Sequence, residues 1–380
     1  MVARILCLNR RVADLPILLA LAWCAAAPAA PDSAPRPHNV ILVTLDGVRV
    51  EELFQGVDPR VLADESISGV YYEEDTARVR EVYARGTTGQ SRAALLPFFW
   101  NTLAGQGVVF GNRDRGSHVR VKNKEWFSAP GYAELLTGAP HAEVTSNDEI
   151  RYPHRTVLQF VRDELRLGFP QVAVIGSWSG FGLLASSRAD AFFTNTGHQS
   201  VEAKYATPVI AALTSIQSDI VTLWPESRSD AVTMAVAVEY LRTQRPRLLY
   251  IAIDDSDAWA HQRRYDRYLD YLNTADRQLG RLWNLLQTME SYRGRTTLIV
   301  TTDHGRGSAP ADWIEHGAGI EGSQDMWIAV VGPGTKAQGE AHDHAPLSQS
   351  DVAATIARCF ELDWRAASPA AGPPLPGVCE

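Results

Sequence analysis

The sequence reads as an α/β protein whose central sheet is largely parallel and covered on both faces. Three observations carry that reading. Five short apolar runs, each bounded by turn or polar residues, have the length of buried strands: residues 40–45 (VILVTL), 172–175 (VAVI), 248–253 (LLYIAI), 297–301 (TLIVT) and 327–331 (WIAVV). Helical patterns lie between them, the clearest being Tyr265, Tyr268, Leu272, Ala275, Leu279, Leu282, Leu286 and Met289, spaced by three and four. Strand and helix signals alternate along the chain, and no internal repeat interrupts them.

At the N-terminus, Arg4, Arg10 and Arg11 precede an apolar run at 15–22 and a small-residue stretch at 25–30, the pattern of a secretory signal peptide over residues 1–29. An uncleaved anchor is the alternative; a lipoprotein cysteine at Cys24 fits poorly behind bulky Trp23. No later stretch approaches the roughly 18–20 apolar residues of a membrane span. Residues 38–365 then read as a single domain. The segments 55–124 and 186–229 look polar and irregular, and are expected as insertions or loops near one rim. Residues 366–380, rich in Ala, Pro and Gly, are expected as an irregular tail.

The formal net charge of −8 becomes more negative without the Arg-containing leader, and no basic cluster interleaves with aromatics, so a nucleic-acid complex is not expected. Beyond Cys7 and Cys24 in the leader, Cys359 and Cys379 could close a disulfide over the tail in an oxidising compartment, or remain free thiols.

Ligands of open α/β sheets gather at the carboxyl ends of strands. Just past the apolar runs stand Asp46, Asp257 with His261, and Asp303 with His304; His316 comes shortly before the last run. Three Asp and three His suit divalent zinc and can fill more than one tetrahedral site. Each residue alone has an ordinary explanation as a turn, a cap or a solvent-facing side chain; the recurrence at successive strand ends is the signal. His342 and His344, in "EAHDHAP", could compete with His316 but read as a solvated loop. Arg49 and Arg306 lie near enough in sequence to these positions to touch an anionic substrate, but read first as surface arginines.

The order Asp46, Ser128, Asp257-x-x-x-His261, Asp303-His304, His316 resembles the alkaline phosphatase superfamily of two-metal phospho- and sulfohydrolases, from about Val40 to Trp364. The stretches "TLDGVRVEELFQG", "SAPGYAELLTG", "DAWAH", "TTDHGRG" and "QSDVAATIARCFELDW" look most like its sulfatase-like or phosphoglycerate-mutase-like bacterial branch. The resemblance implies a three-layer α/β/α sandwich and two divalent metal ions, zinc first, with manganese or another ion compatible. It implies Asp257, His261 and His316 on one ion, and Asp46, Asp303, His304 and the Ser128 oxygen on the other. Ser128 is then the nucleophile of a double displacement through phosphoserine. Asn147, in "TSNDE", resembles the asparagine that contacts a non-bridging oxygen in the phosphodiesterase branch; a turn-forming Asn is the alternative.

Ser128 should sit just ahead of a helix over 130–137, with Pro130 in its first turn, Gly131 keeping the surroundings open and Gly138 ending it left-handed. There, free N–H groups and the helix dipole favour an alkoxide and a phosphoryl oxygen. An ordinary Ser cap would occupy the same place. The expected function is an exported, periplasmic or secreted hydrolase of small-molecule or headgroup phosphate esters, monoester or diester. A sulfatase would use an oxidised Cys or Ser in a motif continuing to Arg, which Ser128-Ala129-Pro130-Gly131-Tyr132 lacks. An inactive binding homologue would have lost one of these positions.

Overall fold

The computed structural model describes residues 38–380; the leader read at residues 1–29 lies outside the described residues. The strands are β1 (Asn39–Leu45), β2 (Val108–Phe110), β3 (Val119–Arg120), β4 (Val172–Gly176), β5 (Phe193–Thr196), β6 (Leu248–Ile253), β7 (Thr296–Thr301), β8 (Ile328–Val331), β9 (Gly339–Glu340) and β10 (Leu347–Ser348). Eight of them form one sheet in the order β5-β4-β6-β1-β7-β8-β2-β9, in which only β8 runs against its neighbours. β3 and β10 pair separately. The five apolar runs are all strands, within one residue of their expected ends.

Successive side chains of a strand point to opposite faces. Ile41, Val43 and Leu45 of β1 therefore enter one core with the helices Asp230–Gln244 and Tyr265–Thr288, while Val40 and Leu42 enter another with Ser128–Thr137, Val157–Glu164 and Asp351–Cys359. The result is the three-layer α/β/α sandwich. The expected apolar face of Tyr265–Thr288 is buried from Tyr265 to Leu286.

The 55–124 segment differs from its reading as irregular. It holds the helices Pro59–Leu62, Glu65–Ser68, Glu73–Val82 and Thr88–Leu95; side-chain caps start the first, second and fourth, at Asp58, Asp64 and, with Gln90 in a capping box, Thr87. It also supplies β2, whose three residues pair with β8 and β9, more than 200 residues later. The 186–229 segment likewise adds the edge strand β5 and the helix Pro208–Gln217. Past the short helix Trp364–Ala367 the tail has no regular element, yet Leu375 and Val378 are fully buried and a Cys359–Cys379 disulfide ties it to Asp351–Cys359.

Candidate metal centre

β6, β1 and β7 are neighbours, so their carboxyl ends meet at one place. Asp46 follows β1 directly, and Asp303 and His304 follow β7 by two and three residues. After β6 the helix Asp255–His261 presents Asp257 and His261 four residues apart on one face. His316 comes from the loop between β7 and β8. Asp257, His261 and His316 offer ligand atoms within 4.8 Å of one another, and so do Asp46, Asp303 and His304. The groups adjoin: the rings of His304 and His316 lie 4.2 Å apart, centre to centre. Ser128 Oγ is 3.4 Å from Asp46 Oδ1 and 3.4 Å from His304 Nε2. Seven side chains drawn from across the sequence thus stand together.

Their polar atoms are poorly satisfied by protein. Asp303 Oδ2 and His316 Nδ1 are buried without a hydrogen bond, and His261 Nε2 faces His316 Nε2 at 3.0 Å. Burial, then the charge of Asp46, pushes the Asp303 carboxyl well above the usual range. Burial opposes the charged form of His304 as well, but Asp303 and Asp46 win and raise it to about 9. Burial and His304 push His316 down to about 2, and burial lowers His261. At Asp257 burial is outweighed by Arg306 and the imidazoles, which hold the carboxyl well below its ordinary value. Converging carboxyl groups and imidazoles, crowded so that some must hold protons that a metal would displace, fit a pair of divalent cations.

Neighbouring groups fix these donors. His304 Nδ1 pairs with Gly305 O at 2.7 Å, which leaves Nε2 to face Asp46 and Ser128. Gly47 N donates to Asp303 Oδ1 and Ser256 Oγ to Asp46 O. Tyr132 Oη, a buried partner that the sequence did not single out, donates to Asp46 Oδ2 at 2.9 Å. The two arginines expected at the surface are fully buried. Arg306 pairs with Asp257 Oδ1 and donates to Ile314 O; Arg49 pairs with Glu52 and donates to Gly307 O. A buried guanidinium requires such partners, and here they brace the loops that carry the ligands.

The helix over 128–137 begins two residues earlier than expected. Phe127 occupies the cap position and Ser128 is the first helical residue, so its hydroxyl caps nothing and is directed to Asp46 and His304. Gly138 ends the helix at φ +80°. Gly131 does not open the surroundings: a Cβ there would lie 2.5 Å from Asp303 O, so glycine lets the helix press against the ligand-bearing backbone. Asn147 Oδ1 accepts Ala129 N–H at 2.9 Å, which removes one of the helix donors expected to be free and fixes the amide beside Ser128.

A cavity of about 560 Å³ opens over Ser128, Asn147, Asp257, His261 and His316. His342 is exposed, and His344 bonds Ser117; neither joins the cluster. Two more groups hold ligand-type side chains close together, His141–Glu143–His154 and Asp230–Asp254–Asp255. In the first, the imidazoles stack 3.6 Å apart with planes 16° from parallel, so their in-plane lone pairs do not converge.

The family model described as Sulfatase matches residues 39–362. No curated protein matches the sequence. Among solved structures, the alkaline phosphatase PafA is similar at TM-score 0.57 and 11% identity, over 92% of this chain and 100% of its own. BT1596, a 2-O GAG sulfatase, is similar at TM-score 0.52 and 15% identity, over 90% and 73%. The lipoteichoic acid synthase LtaP from Listeria monocytogenes follows at TM-score 0.51 and 11% identity, over 87% and 73%. At such identities the likeness is one of fold.

Proposed function

The chain belongs to the sulfatase family of the alkaline phosphatase superfamily, and from that premise we propose an exported two-metal phosphodiester hydrolase that works through a phosphoserine at Ser128. The observation that carries the reading is the Ser128 hydroxyl, held at a helix start 3.4 Å from both Asp46 and His304. Asp257, His261 and His316 would hold one ion, and Asp46, Asp303 and His304 the other. When bound, such a pair lowers the pKa of the serine hydroxyl and stabilises charge on the entering and leaving oxygens.

Ser128 gives its hydroxyl proton to water and its Oγ attacks phosphorus; the bond to the ester oxygen breaks, and the alkoxide that leaves takes a proton back from water. A water molecule next displaces the serine oxygen and releases the phosphate monoester. Tyr132 and Ser256 hold Asp46 in place through both steps. Asn147, its carbonyl tied to Ala129, has its amide nitrogen left to donate to a non-bridging oxygen. Phosphate is preferred to sulfate because the place of the sulfatase-motif arginine is taken by Tyr132, which carries no charge and is bound to Asp46. A diester is preferred to a monoester because, among the described residues, no Lys or Arg lines the cavity to balance a second negative charge. The Cys359–Cys379 disulfide supports an oxidising, extracytoplasmic setting, and among the described residues no helix is long and apolar enough to cross a membrane.

Bound metal and turnover of bis-p-nitrophenyl phosphate, p-nitrophenyl phosphate and p-nitrophenyl sulfate, each with and without Ser128→Ala, test this. The diester should be the best substrate, and the variant should lose about a thousandfold or more while keeping its metal. Acid quenching should trap phosphate on the Ser128 peptide. Undiminished turnover in the variant removes the nucleophile, and a preference for sulfate removes the phosphate assignment.

A further inference from the structure

We propose that the half of the cavity away from Ser128 is a subsite for an ester arm bearing an ammonium group, of the kind found on amino alcohols and their quaternary derivatives. This deepens the reading above and rests on it only for the bond that is cut, since the subsite is built from other residues.

The ligand cluster stands over β6, β1 and β7, and the cavity continues past β6 toward β4. Its wall there is Trp178, just after β4, then Trp224, Glu226 and Ser227, and finally Asp254, just after β6. These residues form one connected rim. The backbones of Trp178 and Ser227 pair, Ser179 N donates to Glu226 O, and Ser227 Oγ donates to Asp254 Oδ2 at 2.6 Å. The Trp224 ring centre is 6.1 Å from that of His261, so the aromatic wall adjoins the ligand cluster directly.

The chemistry of the rim selects a cation. Asp254 is only 6% exposed and lines the cavity, yet its Oδ1 has no hydrogen-bond partner. The rest of that acidic group is closed. Asp230 accepts from Ser177, Tyr271 and the N–H groups of Asp254 and Asp255, while Asp255 accepts from Asp230 N. Glu226 is exposed beside Asp254 and forms no ion pair among the described residues. Arg228, two residues on, is buried and donates to Asn195 and Thr233 instead of reaching the cavity. Two carboxyl groups, two indoles and no basic side chain repel an anionic arm. A neutral arm gains only apolar contact there. An ammonium gains the exposed Glu226 carboxylate and the two indoles, with Asp254 behind them, a combination that favours it over an uncharged arm of the same shape by about tenfold or more.

Choline and its uncharged isostere 3,3-dimethylbutanol provide the comparison, through tryptophan fluorescence titration of the holoenzyme and through inhibition of bis-p-nitrophenyl phosphate turnover. Choline should bind about tenfold tighter or better, and Glu226→Gln and Trp224→Phe should each reduce that ratio severalfold. Glu226 is exposed, so the first variant keeps the fold. Equal binding of the two alcohols, or a ratio unmoved by both variants, overturns the subsite. Methyl esters of phosphocholine and of 3,3-dimethylbutyl phosphate, run beside the two corresponding sulfate esters, keep the two ideas separable. A choline preference confined to sulfate turnover retains the subsite and overturns the phosphodiester reading; phosphodiester turnover blind to the arm's charge does the reverse. Glycerophosphocholine beside phosphatidylcholine vesicles then distinguishes a free ester from a lipid headgroup.

Discussion

Two acid-containing groups sit at the carboxyl ends of adjoining strands, and each packs three potential ligands within 4.8 Å. In Asp230–Asp254–Asp255 both oxygens of Asp230 and one oxygen each of Asp254 and Asp255 are answered by a hydroxyl or a backbone N–H, and Asp254 Oδ1, at the cavity side, is the exception. In Asp46–Asp303–His304 the protein leaves Asp303 Oδ2 unanswered and aims His304 Nε2 at two carboxylates and a serine. Proximity of ligand-type residues therefore does not distinguish a site from a buried network. The distinction lies in whether the chain itself uses up the lone pairs.

Several measurements can break or sharpen that contrast. The largest effect is expected for Asp303→Asn, which keeps the shape and removes the charge: kcat/KM should fall about a thousandfold or more, roughly 4 kcal/mol, with the loss of bound metal measured by elemental analysis. Full metal content with near-normal turnover would make the open group equivalent to the closed one. Asp230→Asn should do the opposite, costing roughly 2–4 kcal/mol of stability in urea unfolding with metal content intact, because an amide cannot accept from all four donors. Loss of a metal ion in that variant would reassign the closed group. Tyr132→Phe, which removes one hydrogen bond to Asp46, should lower kcat/KM about tenfold without unfolding the protein.

The last check is a pH slope, small at any one pH. Burial, and then the charge of Asp230, pushes Asp255 up to about 8. Its folded value thus exceeds the unfolded value of about 3.9, so its stabilising contribution is full below that lower value and is lost as pH rises through about 8. The loss is at most about 1.4 kcal/mol per pH unit. Urea midpoints of chelator-treated protein between pH 5 and 8 should fall less steeply for Asp255→Asn than for the parent chain.

The open group was legible in the sequence because parallel strands bury both faces and end abruptly, so an Asp or His following VILVTL, LLYIAI or TLIVT stands out. What lay hidden depended on tertiary partners. β2 is three residues long and is a strand only because residues 328–331 and 339–340 flank it. Arg49 and Arg306 read as surface residues because their countercharges and carbonyl partners are set by the fold. Tyr132 could have been found from helical spacing, since it lies four residues after Ser128 and so one turn along the same face. Trp178 and Trp224 carried no such cue, one following a strand and the other within a segment read as irregular.

Gly131 carries a lesson for anyone seeking a sturdier variant. Replacing a helical glycine with alanine is a routine stabilising change, worth roughly 0.5–1 kcal/mol where space allows. Here the added methyl would meet the Asp303 carbonyl at 2.5 Å, so the helix that carries Ser128 would have to back away from the strand end that carries Asp303 and His304. At this position the usual route to a sturdier helix therefore costs both the packing and the alignment of Ser128 with its neighbours.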